Sequence, residues 1–211
     1  MADIVAVAAF SVVFVALLAG AEASHRRWKV APELARKSAH VSSALVAAAL
    51  PWFMSFSAVA VLALLFVPFM LLSRRVDLFP AVHAVERSTL GEMWFPLGVA
   101  VVALAVPERG PFAYGVLVMG FSDAAASLVG QRYGHRAFRL LGAWKTYAGS
   151  TAFFATTVVL TVVAVVLVGG VPPPTVVALA ATLTVVEASL GGGTDNVVLP
   201  VTAAGLLTLA S

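Results

Sequence analysis

The chain contains no cysteine. Disulfide frameworks, zinc ribbons and thiol catalysis are therefore excluded. Charge is also scarce. Only 11% of the 211 residues are Asp, Glu, Lys or Arg, against about 25% in an ordinary soluble domain. Three familiar signatures are missing as well. Lys145-Thr146 lacks the upstream glycines of a G-x-x-x-x-G-K-[ST] loop, and neither G-x-G-x-x-G nor H-E-x-x-H occurs. A chain so poor in charge cannot cover a water-facing surface. A soluble enzyme, a disordered chain and a nucleic-acid-binding module are excluded on that ground.

What the chain does have is apolar length. Hydrophobic residues make up 61% of it, and the mean hydropathy is +1.01. A membrane-spanning helix needs about 20 mostly apolar residues. Eight such segments are read: Asp3–Ala21, Leu34–Leu50, Phe53–Leu72, Trp94–Val106, Phe112–Val129, Gly149–Val168, Thr175–Leu190 and Asn196–Ala210. The expectation is an all-α, polytopic integral membrane protein, with about eight helices in one bundle and a single domain over residues 1–211. Pro51, Pro107 and Pro172-Pro173-Pro174 punctuate neighbouring spans. Pro96 is expected in the first turn of the short fourth segment, where its missing N–H costs little. The first segment has its positive charges after it rather than before it, so it is read as an uncleaved span. The polar stretch Ser73–Glu92, with a short helix starting at Pro80, is expected to lie at the membrane surface.

The basic residues set an orientation. Arg26, Arg27, Lys29, Arg36 and Lys37 fall between spans 1 and 2 or in the first turn of span 2. Arg74, Arg75 and Arg87 fall between spans 3 and 4, and Arg132, Arg136, Arg139 and Lys145 between spans 5 and 6. With eight spans, 12 of the 13 basic residues lie on one side and Arg109 alone on the other. By the positive-inside rule the three basic loops are cytoplasmic and both termini are outside. A seven-span alternative with the fourth segment re-entrant scatters these charges over both faces.

Ionisable residues inside or beside spans are functional candidates by default. Asp123 lies well inside span 5, Glu187 near the end of span 7, and Asp195 just before span 8 after a run of glycines. Three carboxylates at one depth suit a hard cation; Mg²⁺ usually takes one or two carboxylates plus substrate phosphates and water. Structural ion pairing with arginines is the plainer explanation. Lys145 precedes Gly149-Ser150-Thr151 at the start of span 6. Gly149 permits close backbone approach, Ser150 or Thr151 can cap the helix, and a helix N-terminus favours phosphate. Lys145 adds a point charge and Arg132 a planar fork. Arg36, Lys37 and His40 share one face of span 2, where they could hold phosphate or accept a proton from an alcohol.

Taken in order, these pieces resemble the CTP-dependent lipid-alcohol kinases: dolichol kinase, phytol kinase and CTP-dependent diacylglycerol kinase, relatives of the phosphatidate cytidylyltransferases. The matching residues are Arg36-Lys37-x-x-His40; Glu86-Arg87, Gly91-Glu92 and Phe95-Pro96-Leu97; Ser122-Asp123-Ala124 through Gly130-x-Arg132-Tyr133-Gly134; Lys145-Thr146-x-x-Gly149-Ser150; and Glu187 with Gly193-Thr194-Asp195-Asn196-x-x-x-Pro200. The family more often has Gly where this chain has Ser122, and often Ser where it has Thr146. The resemblance implies transfer of the γ-phosphoryl group of CTP to an isoprenoid lipid alcohol at the cytoplasmic membrane face, with Mg²⁺. It implies Asp123, Glu187 and Asp195 around the metal. It places Arg36, Lys37, Arg132, Lys145, Gly149 and Ser150 around the CTP phosphates, and Asp123, His40 and Lys145 at the reacting groups. The alternatives are a phosphatidate cytidylyltransferase and, from a different class, a small ion-coupled transporter. Transporters commonly show paired repeats and broken helices, and the sequence shows no such pair.

Overall fold

A computed structural model describes residues 1–83, 91–168 and 172–210, with the backbone alone for Gly91, Glu92 and Val168. Glu86 and Arg87 of the motif set, and Ser211, lie outside the described residues. The described chain is helical nearly throughout. Each of the eight segments read from the sequence falls on a helix: α1 (Ala2–Trp28), α2 (Pro32–Ala49), α3 (Phe56–Arg75), α5 (Gly91–Ala105), the pair α6 (Arg109–Leu117) and α7 (Asp123–Tyr133), α8 (Tyr147–Val168), α9 (Pro173–Ser189) and α10 (Asp195–Ala210). Four helices are long and apolar enough to cross a bilayer: Ala2–Trp28, Phe56–Arg75, Arg109–Tyr133 and Tyr147–Leu167. Met93–Ala105, Pro173–Ser189 and Asp195–Ala210 are shorter apolar helices.

Large apolar side chains point outward as well as inward. On α8, Val159, Val162, Val163, Val166 and Leu167 are all exposed. Such a surface is costly in water and suits a hydrocarbon solvent. Inside, one buried cluster joins α1, α2, α3, α5 and α6 around Phe14, Leu50, Leu62 and Phe112. A second joins α6, α8, α9 and α10 around Tyr114, Phe153, Leu183 and Leu199. Close helix approach rests on glycine. A Cβ at Gly98 of α5 would lie 1.8 Å from the Asn196 carbonyl oxygen, and one at Gly115 would lie 2.3 Å from that of Pro200. α10 therefore seats against both α5 and α6, as small residues allow in membrane bundles.

Four local expectations are corrected. Pro96 is not in a first turn, because α5 begins at Gly91 and runs through it. There the ring removes one interior N–H donor rather than an unused one. The short helix α4 (Pro80–His83) does not lie on the surface. Ala81 and Val82 are buried, Glu22 of α1 accepts the Ala81 N–H at 2.8 Å, and Ser73 Oγ meets His83 Nε2 at 2.9 Å. The stretch after α7 is not an irregular loop. It forms an antiparallel hairpin of β1 (Ala137–Leu140) and β2 (Ala143–Thr146), with Phe138 opposite Lys145. Leu141 and Gly142 make its turn, both at positive φ (45° and 94°), as two-residue hairpin turns require. Finally, neither Ser150 nor Thr151 caps α8. The Thr146 hydroxyl accepts the Gly149 N–H at 3.0 Å, and Thr151 turns back to the Tyr147 carbonyl.

Candidate active site

The site is built where α2, α7, α8, α9 and the hairpin meet. Its first half comes from α2. The three-residue step from Lys37 to His40 puts both on the side facing α7. Lys37 is buried, and its Nζ donates to Asp123 Oδ2 at 2.5 Å. His40 Nε2 lies 3.9 Å from the same oxygen and 3.2 Å from the Met119 carbonyl. A carbonyl only accepts, so Nε2 carries the hydrogen and Nδ1 is the basic nitrogen. Phe95 holds the ring by an edge contact at 4.8 Å.

Asp123 follows a π-helical turn, Val118–Ser122, inside the long helix Arg109–Tyr133. Such turns recur at functional sites because they re-aim side chains within a helix. Gly120 lets this turn touch α2, since a Cβ there would lie 2.2 Å from Ala44 Cβ. Ser122 is fully buried and accepts from the Thr157 hydroxyl of α8 at 2.9 Å. A serine beside Asp123 is thus satisfied without touching the carboxylate.

The second half is carried by the hairpin. Lys145 of β2 donates to Glu187 Oε1 of α9 and lies 4.0 Å from Asp195 Oδ2 of α10. Glu187 is buried, and its other oxygen, Oε2, has no hydrogen-bond partner. The Ser150 hydroxyl is also buried without a partner. Gly149 lets α7 and α8 approach, because a Cβ there would lie 2.8 Å from the Ala126 carbonyl oxygen. The start of α8 offers fewer free amides than a bare helix end does. The Tyr147 N–H goes to the Arg136 carbonyl at 3.2 Å and the Gly149 N–H to Thr146. Ser150 and Lys145 are left as the donors facing the cavity.

Two cavities meet at Asp123. One, of about 290 Å³, is polar and lined by Lys37, Asp123, Gln131, Lys145, Ser150 and Glu187 among others. The other, of about 110 Å³, is mainly apolar, and Arg36, His40, Asp123 and Asn196 give it its polar groups. Asp123 lines both. Arg132 lines neither; it is exposed, with its guanidinium 6.0 Å from the Tyr133 ring.

The three carboxylates are joined through lysines rather than to one another, and no group of three His, Asp or Glu among the described residues is arranged to hold a metal. Mg²⁺ with a phosphorylated substrate needs only one or two carboxylates. Asp123 and Glu187, facing one polar cavity, meet that requirement. The unpartnered Glu187 Oε2 is an oxygen of the right kind.

Some site residues were not singled out from the sequence. Glu33 accepts both Arg36 Nε (2.9 Å) and Nη2 (2.6 Å), and its Oε1 also accepts from Ser127 (3.0 Å) and Gln131 (3.1 Å). The signals were present. Glu33 stands three residues before Arg36, and Asp123, Ser127 and Gln131 recur every fourth residue on one face of α7. Thr146 was quoted for resemblance, yet its role as the cap of α8 needed the helix start to be located.

No protein-family model matches the chain, and no solved structure matches it. Among curated proteins it is similar to a phytol kinase of Synechocystis sp., 29% identical over 125 residues, or 56% of this chain. The chain spans about half the length of that relative (52%). The similarity supports a lipid-kinase relationship.

Proposed function

We propose that the protein is a CTP-dependent kinase that transfers the γ-phosphoryl group to the hydroxyl of an isoprenoid lipid alcohol at the cytoplasmic face of a membrane. The observation that carries this reading is the shared wall at Asp123. A lipid alcohol needs an apolar channel ending at polar groups, and a triphosphate needs a cationic polar cleft. Here one carboxylate borders both. The likeness to a phytol kinase supports the same class of acceptor.

Phosphoryl transfer is chiefly positioning and charge neutralisation. Lys145, Lys37 and the Ser150 hydroxyl face the polar cavity and hold phosphate oxygens there. Arg36, in the mouth of the apolar cavity, faces the junction from the other side. The acceptor hydroxyl sits between Asp123 and His40. Asp123 accepts its hydrogen bond and aims the oxygen, and Asp123 or His40 Nδ1 takes the proton as the new P–O bond forms and the bond to CDP breaks. Lys37 keeps Asp123 charged and fixed in rotamer. Mg²⁺, held by Asp123 and Glu187 with Asp195 nearby, would neutralise phosphate charge. The basic segments of the sequence put this chemistry on the cytoplasmic side, within eight crossings.

Purified protein given γ-labelled CTP and an isoprenoid alcohol is expected to place label in the lipid and release CDP. Given α-labelled CTP and phosphatidate, it is expected to leave the lipid unlabelled. Label entering lipid only from the α position would make the protein a cytidylyltransferase. No label from either position would end the enzyme reading and return the transporter.

A further inference from the structure

The apolar cavity has a direction and a floor. On α2 its lining residues Arg36, His40, Ser43, Ala47 and Leu50 recur every three or four positions, so they form one stripe along the helix. The polar groups Arg36, His40, Asp123 and Asn196 gather at one end. At the other end stand Phe14, Leu50 and Leu62, exposed by 8%, 2% and 1%, where the chain turns through Leu50–Trp52 toward α3. Between them the walls are small where the channel runs: Ser43 and Ala47 on α2 and Ala63 on α3, all buried. Ala47 and Ala63 belong to the same buried cluster as the floor residues. Met70 and Val82, at the polar half, belong to another cluster together with Ala39.

We propose, resting on the kinase reading above, that this cavity measures the alcohol tail, with Ala47 and Ala63 as the specificity-determining residues and Leu50 and Leu62 as the stop. From Arg36 to Leu50 the stripe extends about 21 Å along the helix. An extended hydrocarbon with bonds of about 1.5 Å advances about 1.25 Å per bond, so about sixteen main-chain carbons fill it. That is the main chain of a linear alcohol of four isoprene units. Shorter alcohols bind but leave the floor empty. Much longer polyprenols must bend out between helices and lose the contacts that seat the hydroxyl at Asp123.

The test is the acceptor profile of the full-length protein in detergent or nanodiscs, using geraniol, geranylgeraniol and undecaprenol with γ-labelled CTP. Wild type is expected to prefer geranylgeraniol over both others by about tenfold in kcat/KM, the scale on which apolar pockets discriminate. Ala47→Phe is expected to lower kcat/KM for geranylgeraniol about tenfold and to hold geraniol within about twofold. Leu62→Ala, which opens the floor instead of filling the channel, is expected to shift preference toward the longer alcohol, and it serves if the phenylalanine variant does not fold. A flat wild-type profile, or a profile that neither variant moves, overturns the ruler while leaving the kinase reading standing. Wild-type protein that labels none of the three alcohols overturns the kinase reading, and the ruler falls with it.

Discussion

The Lys37 ammonium stands 2.5 Å from Asp123 Oδ2, joining two helices through residues 86 positions apart in the chain. Both side chains are largely withdrawn from solvent, Lys37 more so. Removing one partner of such a pair costs about 3–5 kcal/mol, because the other charge is left buried and alone. Lys37→Met is therefore expected to lower the thermal midpoint in detergent markedly. Combining it with Asp123→Asn is expected to recover much of that loss without recovering transfer. Asp123→Asn and Asp195→Asn are each expected to abolish nearly all transfer in folded protein. Wild-type rates in either variant at saturating Mg²⁺ would refute a metal role for that residue.

Glu33 grips Arg36 by two parallel bonds and reaches across to Ser127 and Gln131 of α7. Charge-assisted bonds of this kind contribute about 1.5–3 kcal/mol each. Glu33→Gln keeps the volume but loses the charge that holds the guanidinium. It is expected to reduce kcat/KM for the alcohol by tenfold or more with little change in the thermal midpoint. An unchanged kinetic profile would remove Glu33 from the positioning of Arg36.

Gly149→Ala places a methyl group 2.8 Å from a backbone oxygen of α7, with Thr146 Oγ1 at 2.9 Å on another side. Neither neighbour is a flexible side-chain end. Overpacking of this sort costs about 1–3 kcal/mol. The expected outcome is a lower thermal midpoint, together with lost activity as the hairpin and Lys145 are pushed from Glu187. Gly205→Ala has open space around its Cβ and is expected to change neither.

The chain has no cysteine, so single cysteines report sidedness cleanly. Leu141 is exposed at the hairpin turn, and Ala2 is exposed at the start of α1. Leu141→Cys is expected to react with a membrane-impermeant thiol reagent only from the cytoplasmic side, and Ala2→Cys only from outside. Labelling of both from the same face would overturn the eight-crossing topology.

Much of the helical layout was legible in the sequence because helices of this kind are encoded locally. Apolar runs near span length, broken by Pro51, Pro107 and Pro172, mark where each helix lies. The scarcity of charge likewise singled out Asp123, Glu187 and Lys145, since an ionisable group among apolar residues is conspicuous. The hairpin was not legible. Its strands are four residues each, too short for alternation to register against the surrounding basic residues. Pro96 was misplaced because the start of α5 lies in polar residues outside the apolar run that marked it.

Local pattern alone fixed that carboxylates and lysines would sit near one membrane face. Which lysine meets which carboxylate was decided only by tertiary structure. Lys37 pairs with Asp123 and Lys145 with Glu187 because glycines at 120 and 149 let the π turn press on α2 and α7 press on α8. The two cavities that share Asp123 likewise belong to no single helix. They are gaps between packed helices, set by side-chain volumes at positions far apart in the chain, and no periodicity within one segment records them.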